Sequence, residues 1–142
     1  MSSLTKKEFE SLADFRLALR KFLRFAESSA EVSGISSQTY QALLAVRGFP
    51  SRDQVTIGEL AEALMIKHNS AVGLADRLQA QGLVTRGVSP VDRRCVFLSL
   101  TLLGERLVED VATRNRRKLI ELKDDFEKLL ENIAEMENHP ET

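Results

Sequence analysis

The sequence predicts a mainly helical α+β fold that has one small β-hairpin and a long helix at each end. Apolar residues recur at steps of three and four over residues 5–32 and again over residues 101–137, as they do on one face of a helix. Between these segments lie two short helical patterns barely a turn apart, followed by apolar and β-branched residues on both sides of a turn-rich loop. Because 142 residues that are 43% hydrophobic can pack one core, residues 1–142 are expected to form a single domain.

The first predicted helix has clear signals at both ends. Thr5 is followed three residues later by Glu8, the pattern in which each side chain binds a free amide of the first turn. Gly34 is expected just past its end, because glycine tolerates the left-handed conformation found at helix termini. A second, shorter helix is expected to begin at Ser36 or Ser37 and to end before the next glycine.

Two further helices are predicted close together in the middle of the chain. After a polar loop at residues 51–54, the pair Thr56 and Glu59 repeats the capping pattern and begins the third helix. The fourth helix runs from about His68 and is ended by Gly82. These two helices are therefore separated by only a tight turn.

The predicted hairpin is formed by residues 83–86 and 96–100, which flank a loop that contains glycine and proline. A long helical pattern follows it. Residues 105–138 contain no proline and no glycine, but Asp124 or Asp125 could cap a new segment. We therefore expect a bend between two terminal helices at this point.

Two adjacent helices followed by a hairpin are typical of a winged helix-turn-helix, which we expect over residues 36–100. The chain has a net charge of −1, but residues 64–97 carry five basic and two acidic residues and form the one segment with a positive excess. In such lobes the first turn of the second helix contacts base edges in the major groove, and a basic hairpin suits the narrow minor groove. The sequence therefore predicts a site for double-stranded DNA.

We expect the polar first turn of the fourth helix to contact DNA and Gly73 to let a DNA strand come close. Arg77 and Arg86 are expected to hold backbone phosphates, which sets the register of binding. Asp92 is expected to pair with Arg94 and fix its direction toward the minor groove. The residues predicted to contact DNA are Lys67, His68, Asn69, Ser70, Gly73, Arg77, Arg86, Arg93 and Arg94.

Three motifs follow one another along the second half of the chain. They are Leu78-Gln79-Ala80-Gln81-Gly82-Leu83-Val84-Thr85-Arg86, Asp92-Arg93-Arg94 and Leu100-Thr101-Leu102-Leu103-Gly104. Together they resemble the pattern of the MarR family of winged helix-turn-helix transcriptional regulators, and the resemblance spans nearly the whole chain. It implies a homodimer whose N- and C-terminal helices interlock while its two lobes bind a pseudo-palindromic operator. It does not imply a base preference, because residues 67–70 differ from the serine- and threonine-rich residues of many members.

The apolar stripes support a dimer independently of this resemblance. A lobe as small as residues 36–100 could not bury both end helices, whereas the shared surface of a dimer would cover them. Residues 5–32 and 101–137 are therefore expected to be dimerisation helices. The residues predicted at the interface are Phe9, Leu12, Leu119, Leu122, Phe126, Leu129, Leu130 and Ile133.

The resemblance also suggests a pocket for a small aromatic effector where the dimerisation helices meet the DNA-binding lobe. The candidate lining residues are Phe15, Leu19, Phe22 and Tyr40. Aromatic side chains at helical spacing more often belong to a core, so packing remains the alternative explanation for these residues.

We expect a sequence-specific DNA-binding homodimer that acts as a repressor and is relieved by a small molecule. An alternative is a winged-helix module that binds a protein partner and no DNA, which the near-neutral total charge motivates. A third hypothesis is a thiol switch at Cys95, because the two preceding arginines favour its thiolate; a small apolar filler is the simpler explanation.

Several other classes of protein lack support in the sequence. There is no Ser/His/Asp set, no phosphate-binding glycine loop and no pair of carboxylates outside solvated helix faces, so no enzymatic activity is expected. One cysteine and two histidines make a poor ligand set, so neither a metal nor a cofactor is expected. No apolar run approaches the roughly 18 residues of a membrane helix, and the N-terminus lacks a secretory signal, so we expect a cytoplasmic protein.

Overall fold

The computed structural model describes residues 3–89 and 92–135. Within these ranges the chain is mainly helical, with a small antiparallel sheet of three strands, one before the third helix and two between the fourth and the last helix. The elements are α1 (Lys6–Val32), α2 (Ser37–Arg47), β1 (Gln54–Thr56), α3 (Ile57–Leu64), α4 (His68–Ala80), β2 (Val84–Val88), β3 (Val96–Leu100) and α5 (Leu102–Glu135). The predicted fold class, a winged helix-turn-helix with a hairpin and long end helices, is confirmed.

The capping residues lie where the sequence predicts them. The Oγ1 atom of Thr5 accepts a hydrogen bond from the Glu8 amide at 3.2 Å, and the Oγ atom of Ser36 caps α2. After α1, Gly34 has a φ of +79°, and the Ile35 amide donates to the Ala30 carbonyl oxygen at 3.2 Å. This left-handed glycine turns the chain from α1 into α2 and brings the two helices together.

The sheet contains a strand that the sequence analysis missed. Its order is β1-β3-β2, and all neighbours are antiparallel. Three residues are too few to show the alternation that marks a strand, and Gln54 was assigned to a polar loop. The strand forms because Val55 is buried opposite Leu98 and pairs with it. Strand β1 therefore anchors the start of α3 to the hairpin formed by β2 and β3.

The predicted bend near Asp124 and Asp125 is wrong. Helix α5 runs without interruption over 34 residues, from Leu102 to Glu135. An aspartate favours a helix start, but it breaks no backbone hydrogen bond, and no proline or glycine interrupts this stretch. The Phe126 ring also packs edge-to-face against Phe15 of α1, with centroids 6.1 Å apart, and this contact attaches α5 to α1 just past the aspartates.

Most of the core lies inside the predicted DNA-binding lobe, and Ala30 of α1 and Val108 and Val111 of α5 complete it. The largest fully buried side chains are Leu43, Val46, Val55, Leu60, Leu78, Val84, Leu98 and Val111. Helix α1 buries only Ser29 and Ala30, near its C-terminal end. The buried residues of α5 all lie between Gly104 and Asn115. The remaining lengths of both helices pack against each other and leave many apolar side chains in solvent.

Candidate nucleic-acid interface

Helices α3 and α4 form the helix-turn-helix. The predicted capping box at the start of α3 is present: the Thr56 amide donates to Glu59 Oε1 at 2.9 Å, and the Glu59 amide donates to Thr56 Oγ1 at 3.1 Å. Burial by itself raises the pKa of Glu59, but hydrogen bonds from Thr56 and the ion pair with Arg52 lower it below its ordinary value. The same Arg52 guanidinium lies over the Phe49 ring, 4.4 Å from its centroid. These contacts fix the first helix of the pair.

The turn between the two helices is formed by Met65, which adopts the left-handed conformation with φ 55° and ψ 43°. Its side chain is 92% exposed. The following helix is held to the lobe by four buried side chains on one face: Ala71, Leu74, Ala75 and Leu78. The opposite face of α4 therefore points away from the core.

The first turn of α4 is open to solvent. Lys67, His68, Asn69 and Ser70 are all exposed, as the DNA-contact prediction requires. Lys67 is the N-cap residue and makes no side-chain capping hydrogen bond. The free amides of this turn and the positive end of the helix dipole can therefore bind an anionic group such as a phosphate.

Gly73 and Arg77 lie one turn apart on α4. A Cβ atom built on Gly73 would be 3.5 Å from the Nη1 atom of Arg77, so the arginine side chain lies along the helix over the glycine. The sequence analysis expected this space to admit a DNA strand. An alanine methyl group would fit here at ordinary contact distance from Arg77, so the arginine does not require the glycine, and close approach of DNA stays a prediction.

Arg86 lies on β2 and forms an ion pair with Asp76 of α4. The distance from Arg86 Nη2 to Asp76 Oδ1 is 2.6 Å. Arg86 was predicted to hold a phosphate; the structure shows its guanidinium paired with a carboxylate of the helix, and the phosphate contact stays a prediction. Sequence analysis overlooked Asp76, although its spacing of three from Gly73 and seven from Asn69 places all three on one helix face.

The wing consists of β2, β3 and the loop that joins them; Pro90 and Val91 of this loop lie outside the described residues. Asp92 Oδ1 accepts hydrogen bonds from the Arg94 amide at 3.0 Å and from Arg94 Nε at 3.2 Å, so the predicted pair is present. These bonds hold the pKa of Asp92 below its ordinary value. The Arg94 side chain is 93% exposed, and Arg93 is exposed beside it.

Cys95 is half-buried and immediately precedes β3. Its Sγ atom lies 3.7 Å from Asp92 Oδ2, to which the thiol donates a weak hydrogen bond. The Asp92 carboxylate thus contacts both the thiol and Arg94, one of the two arginines that motivated the thiol-switch hypothesis. That hypothesis stays a prediction.

The four residues predicted for an effector pocket have different surroundings. Tyr40 lies in the core of the lobe, and Phe15 contacts Phe126. Phe22 is half-buried and Leu19 is exposed on α1. A cleft of about 360 Å³ opens where the end of α1 meets the start of α5, and none of these four residues lines it. Their assignment to a pocket stays a prediction.

The residues predicted at a dimer interface lie on the lengths of α1 and α5 that are remote from the core. Phe9, Leu12, Leu119 and Leu130 are exposed in the isolated chain. The other four, Leu122, Phe126, Leu129 and Ile133, are half-buried between the two helices. An apolar surface of this kind on two long helices indicates a missing partner surface.

The fold and the exposed polar turn of α4 together define a winged helix-turn-helix DNA-binding protein. A model described as "MarR family" matches residues 33–94. The chain is 27% identical over 124 residues to the uncharacterized HTH-type transcriptional regulator YsmB of Bacillus subtilis, covering 87% of this chain and 85% of that protein. It is 28% identical over 129 residues to the transcriptional repressor MprA of Escherichia coli K12, covering 82% and 73%.

A solved structure has the same fold. A mutant of Staphylococcus aureus MepR, bound to an oligodeoxyribonucleotide, superposes with a TM-score of 0.63 at 21% identity, over 96% of this chain and 98% of that one. The resemblance to the MarR family is confirmed by the family model over residues 33–94, and this chain is a DNA-binding transcriptional regulator. The alternative of a winged helix that binds only a protein partner is not favoured. No helix in the described ranges is long and apolar enough to cross a bilayer.

Proposed function

We propose that the protein is a homodimeric repressor that binds a pseudo-palindromic DNA operator. In this proposal α4 lies in the major groove and the wing reaches into the adjacent minor groove. The observation that carries it is the exposed first turn of α4, which has hydrogen-bonding side chains and no side-chain cap. Repression is supported by the relative MprA, which is named a repressor, and contact with DNA by the bound oligonucleotide in the MepR structure.

The wing supplies the second contact in this proposal. Arg94 is almost fully exposed, and Asp92 holds its backbone amide and its Nε atom on one carboxylate oxygen. Among the described residues 3–89 and 92–135, no hydrogen bond engages the Nη atoms of this guanidinium, which can enter a narrow groove where the negative potential is enhanced. Asp92 therefore orients the arginine and does not cancel its attraction to DNA.

Residues 5–32 and 101–137 are proposed to be the dimerisation helices and residues 36–100 the DNA-binding lobe. The support is the distribution of burial: the core lies mostly in the lobe and is completed by the adjoining ends of α1 and α5, whereas the remote lengths of these helices present exposed apolar side chains. A second copy with the same two helices would cover these side chains. Two lobes would then meet two half-sites about one helical turn of DNA apart.

Relief by a small aromatic molecule is part of the same proposal. Phe15 and Phe22 lie on the half-buried side of α1, and the Phe15 ring already accepts an aromatic neighbour edge-on. A ligand among these rings would act on the contact between α1 and α5.

We further propose that the regulator works in the cytoplasm and has no catalytic activity, in agreement with the regulators it resembles.

Fluorescence anisotropy with duplexes from the protein's own promoter region tests the proposal. We expect binding below micromolar protein that weakens steeply with salt, because bound arginines and lysines release counterions. The variant Arg94→Ala is expected to lose about 1–3 kcal/mol of binding free energy and to remain folded. Arg116→Ala, at an exposed position of α5, is the matched control and should bind like the wild type.

Two outcomes would contradict the proposed binding of DNA by α4 and the wing. Absence of salt-sensitive binding at micromolar wild-type protein would refute the DNA-binding proposal as a whole. A dissociation constant of Arg94→Ala equal to that of the control would remove the wing from the mechanism and leave α4 as the sole contact.

A further inference from the structure

The outward face of α4 carries an acidic residue where a DNA-binding helix is expected to be neutral or basic. Asn69, Gly73 and Asp76 follow one another at steps of four and three, opposite the buried face of the helix. The Asp76 side chain is 59% exposed. A carboxylate on this face faces the phosphates that line the groove, so it weakens binding unless its charge is balanced and its oxygens are used.

Arg86 balances this charge. Its Nη2 atom lies 2.6 Å from Asp76 Oδ1, and its side chain is only 31% exposed, so the pair bridges α4 and the first strand of the wing. Such a short, charge-assisted hydrogen bond fixes the direction of the carboxylate. Within residues 3–89 and 92–135 no hydrogen bond engages the other oxygen, Oδ2. One oxygen is therefore held, and the second is left to accept a donor from outside the protein.

We propose that Asp76 determines sequence preference by accepting a hydrogen bond from the exocyclic amino group of a cytosine in the major groove. Cytosine presents an N4 amino donor there, and carboxylates are its usual partners. Adenine also presents an amino group, but its N7 acceptor lies beside it and repels a carboxylate. Arg86 then acts as a positioning residue for Asp76 and not as a phosphate ligand. The inference rests on the proposed function, because it needs α4 to lie in a groove.

Two simpler roles for the pair lead to different results. If Asp76 were only a surface charge near DNA, its removal would tighten binding to every sequence equally, because a repulsion would be lost. If Arg86 left Asp76 to hold a phosphate, its removal would weaken binding to every sequence equally and would reduce the salt dependence. A base-specific role instead changes the discrimination at one base pair of each half-site.

The experiment begins by selecting bound duplexes from a randomised library with the full-length wild-type protein, which defines the half-site. Dissociation constants are then measured by anisotropy for the selected duplex and for every single base-pair change in it. The proteins are wild type, Asp76→Ala, Asp76→Asn, Arg86→Ala and the control Asp110→Ala. Asp110 is an exposed carboxylate on α5 and lies outside the proposed DNA contacts.

We expect Asp76→Ala to lose roughly tenfold discrimination in favour of cytosine at one base pair and to keep the wild-type profile elsewhere. Arg86→Ala should relax the preference at that same base pair. Asp76→Asn should shift the preference there from cytosine toward adenine, because an amide can bond both N6 and N7 of adenine. The near-identical shape of Asn keeps the test valid if the alanine variant unfolds.

The inference is overturned if the profiles of Asp76→Ala and Asp76→Asn equal that of Asp110→Ala at every base pair. It is also overturned if Asp76→Ala tightens binding uniformly, or if Arg86→Ala weakens binding uniformly. If the wild-type protein selects no duplex at all, the proposed function fails and this inference fails with it. Unchanged profiles on a duplex that is bound tightly refute the inference alone.

Discussion

At the scale of single residues, Gly73 lowers the stability of its helix but leaves space on the face of α4 that is proposed to contact DNA. Glycine in a helix interior costs about 1 kcal/mol relative to alanine, and the surroundings of Gly73 would accept a methyl group at ordinary contact distance from Arg77. Packing therefore does not require a glycine here. The proposed approach of DNA to this face of α4 would account for the glycine.

Gly73→Ala is accordingly expected to stabilise the protein and to weaken operator binding. The gain should be about 0.5–1 kcal/mol in the free energy of unfolding, measured by urea denaturation at a fixed protein concentration. Gly58→Ala, in an open position of α3, is the control for helix propensity alone. If Gly73→Ala bound the operator as tightly as Gly58→Ala, close approach of DNA at this residue would be excluded.

Single-residue signals also set how much of the site could be predicted. The exposed first turn of α4 and the Asp92–Arg94 pair follow from residues close together in sequence. Arg86 and Asp76 are ten residues apart on a strand and a helix, so their pairing depends on how β2 packs beside α4. No local pattern reveals such a contact, and for this reason the sequence did not predict the pair.

At the scale of elements, one contact joins the turn that follows α4, the proposed recognition helix, to α5. Thr101 Oγ1 donates to the Gly82 carbonyl oxygen at 2.7 Å and accepts from the Gly104 amide at 3.1 Å. The Thr101 amide donates to the Leu83 carbonyl oxygen at 3.0 Å. A Cβ atom on Gly104 would lie 2.3 Å from that same carbonyl oxygen. The start of α5 therefore rests directly on the backbone that ends α4.

Gly104→Ala should disrupt this contact. The clash is with a backbone atom, so the end of α4 or the start of α5 must shift, at an expected cost of about 1–3 kcal/mol in the free energy of unfolding. Operator affinity should fall as well, because the displaced end belongs to the recognition helix. Thermal unfolding and anisotropy measure the two effects.

Gly87→Ala is the control for stability, since its Cβ would meet nothing within 4 Å. If Gly104→Ala were as stable as this control, the backbone at Leu83 and Gly104 would accommodate the methyl group without strain, and the prediction would be wrong.

The elements that could be predicted are those whose ends carry their own chemical signals. The capped starts of α1, α2 and α3 and the left-handed glycines after α1 and α4 are read from a few adjacent residues. Strand β1 depends on its partner β3, which lies more than forty residues further on. The uninterrupted α5 depends on packing against α1, so the aspartates at its middle gave a misleading signal.

At the scale of the whole molecule, burial divides the chain into a packed lobe and two long helices with exposed apolar side chains. Leu130 is 52% exposed on the remote length of α5, beside the half-buried Phe126 and Leu129. Solvation of so many apolar groups is unfavourable, and a second copy offers a complementary surface of the same composition. The proposed dimer follows from this imbalance.

Leu130→Glu is expected to separate the dimer, because association would bury an unpaired carboxylate. Its mass in light scattering after gel filtration should approach the 15.9 kDa of one chain, whereas wild type should show twice that value. Leu102→Glu, at an exposed position outside the predicted interface, is the matched control. Equal masses for the two variants would contradict the predicted role of Leu130.

Because α5 is uninterrupted, it forms one long rod that connects the DNA-binding lobe to the proposed dimer interface. Its 34 residues extend about 51 Å at about 1.5 Å per residue, with one end fixed beside the recognition helix. A rotation of about 5° around that end displaces the opposite end by about 4 Å in a rod of this length. In the proposed dimer, small rearrangements at the far end of α5 would therefore change the distance between the two DNA-binding lobes.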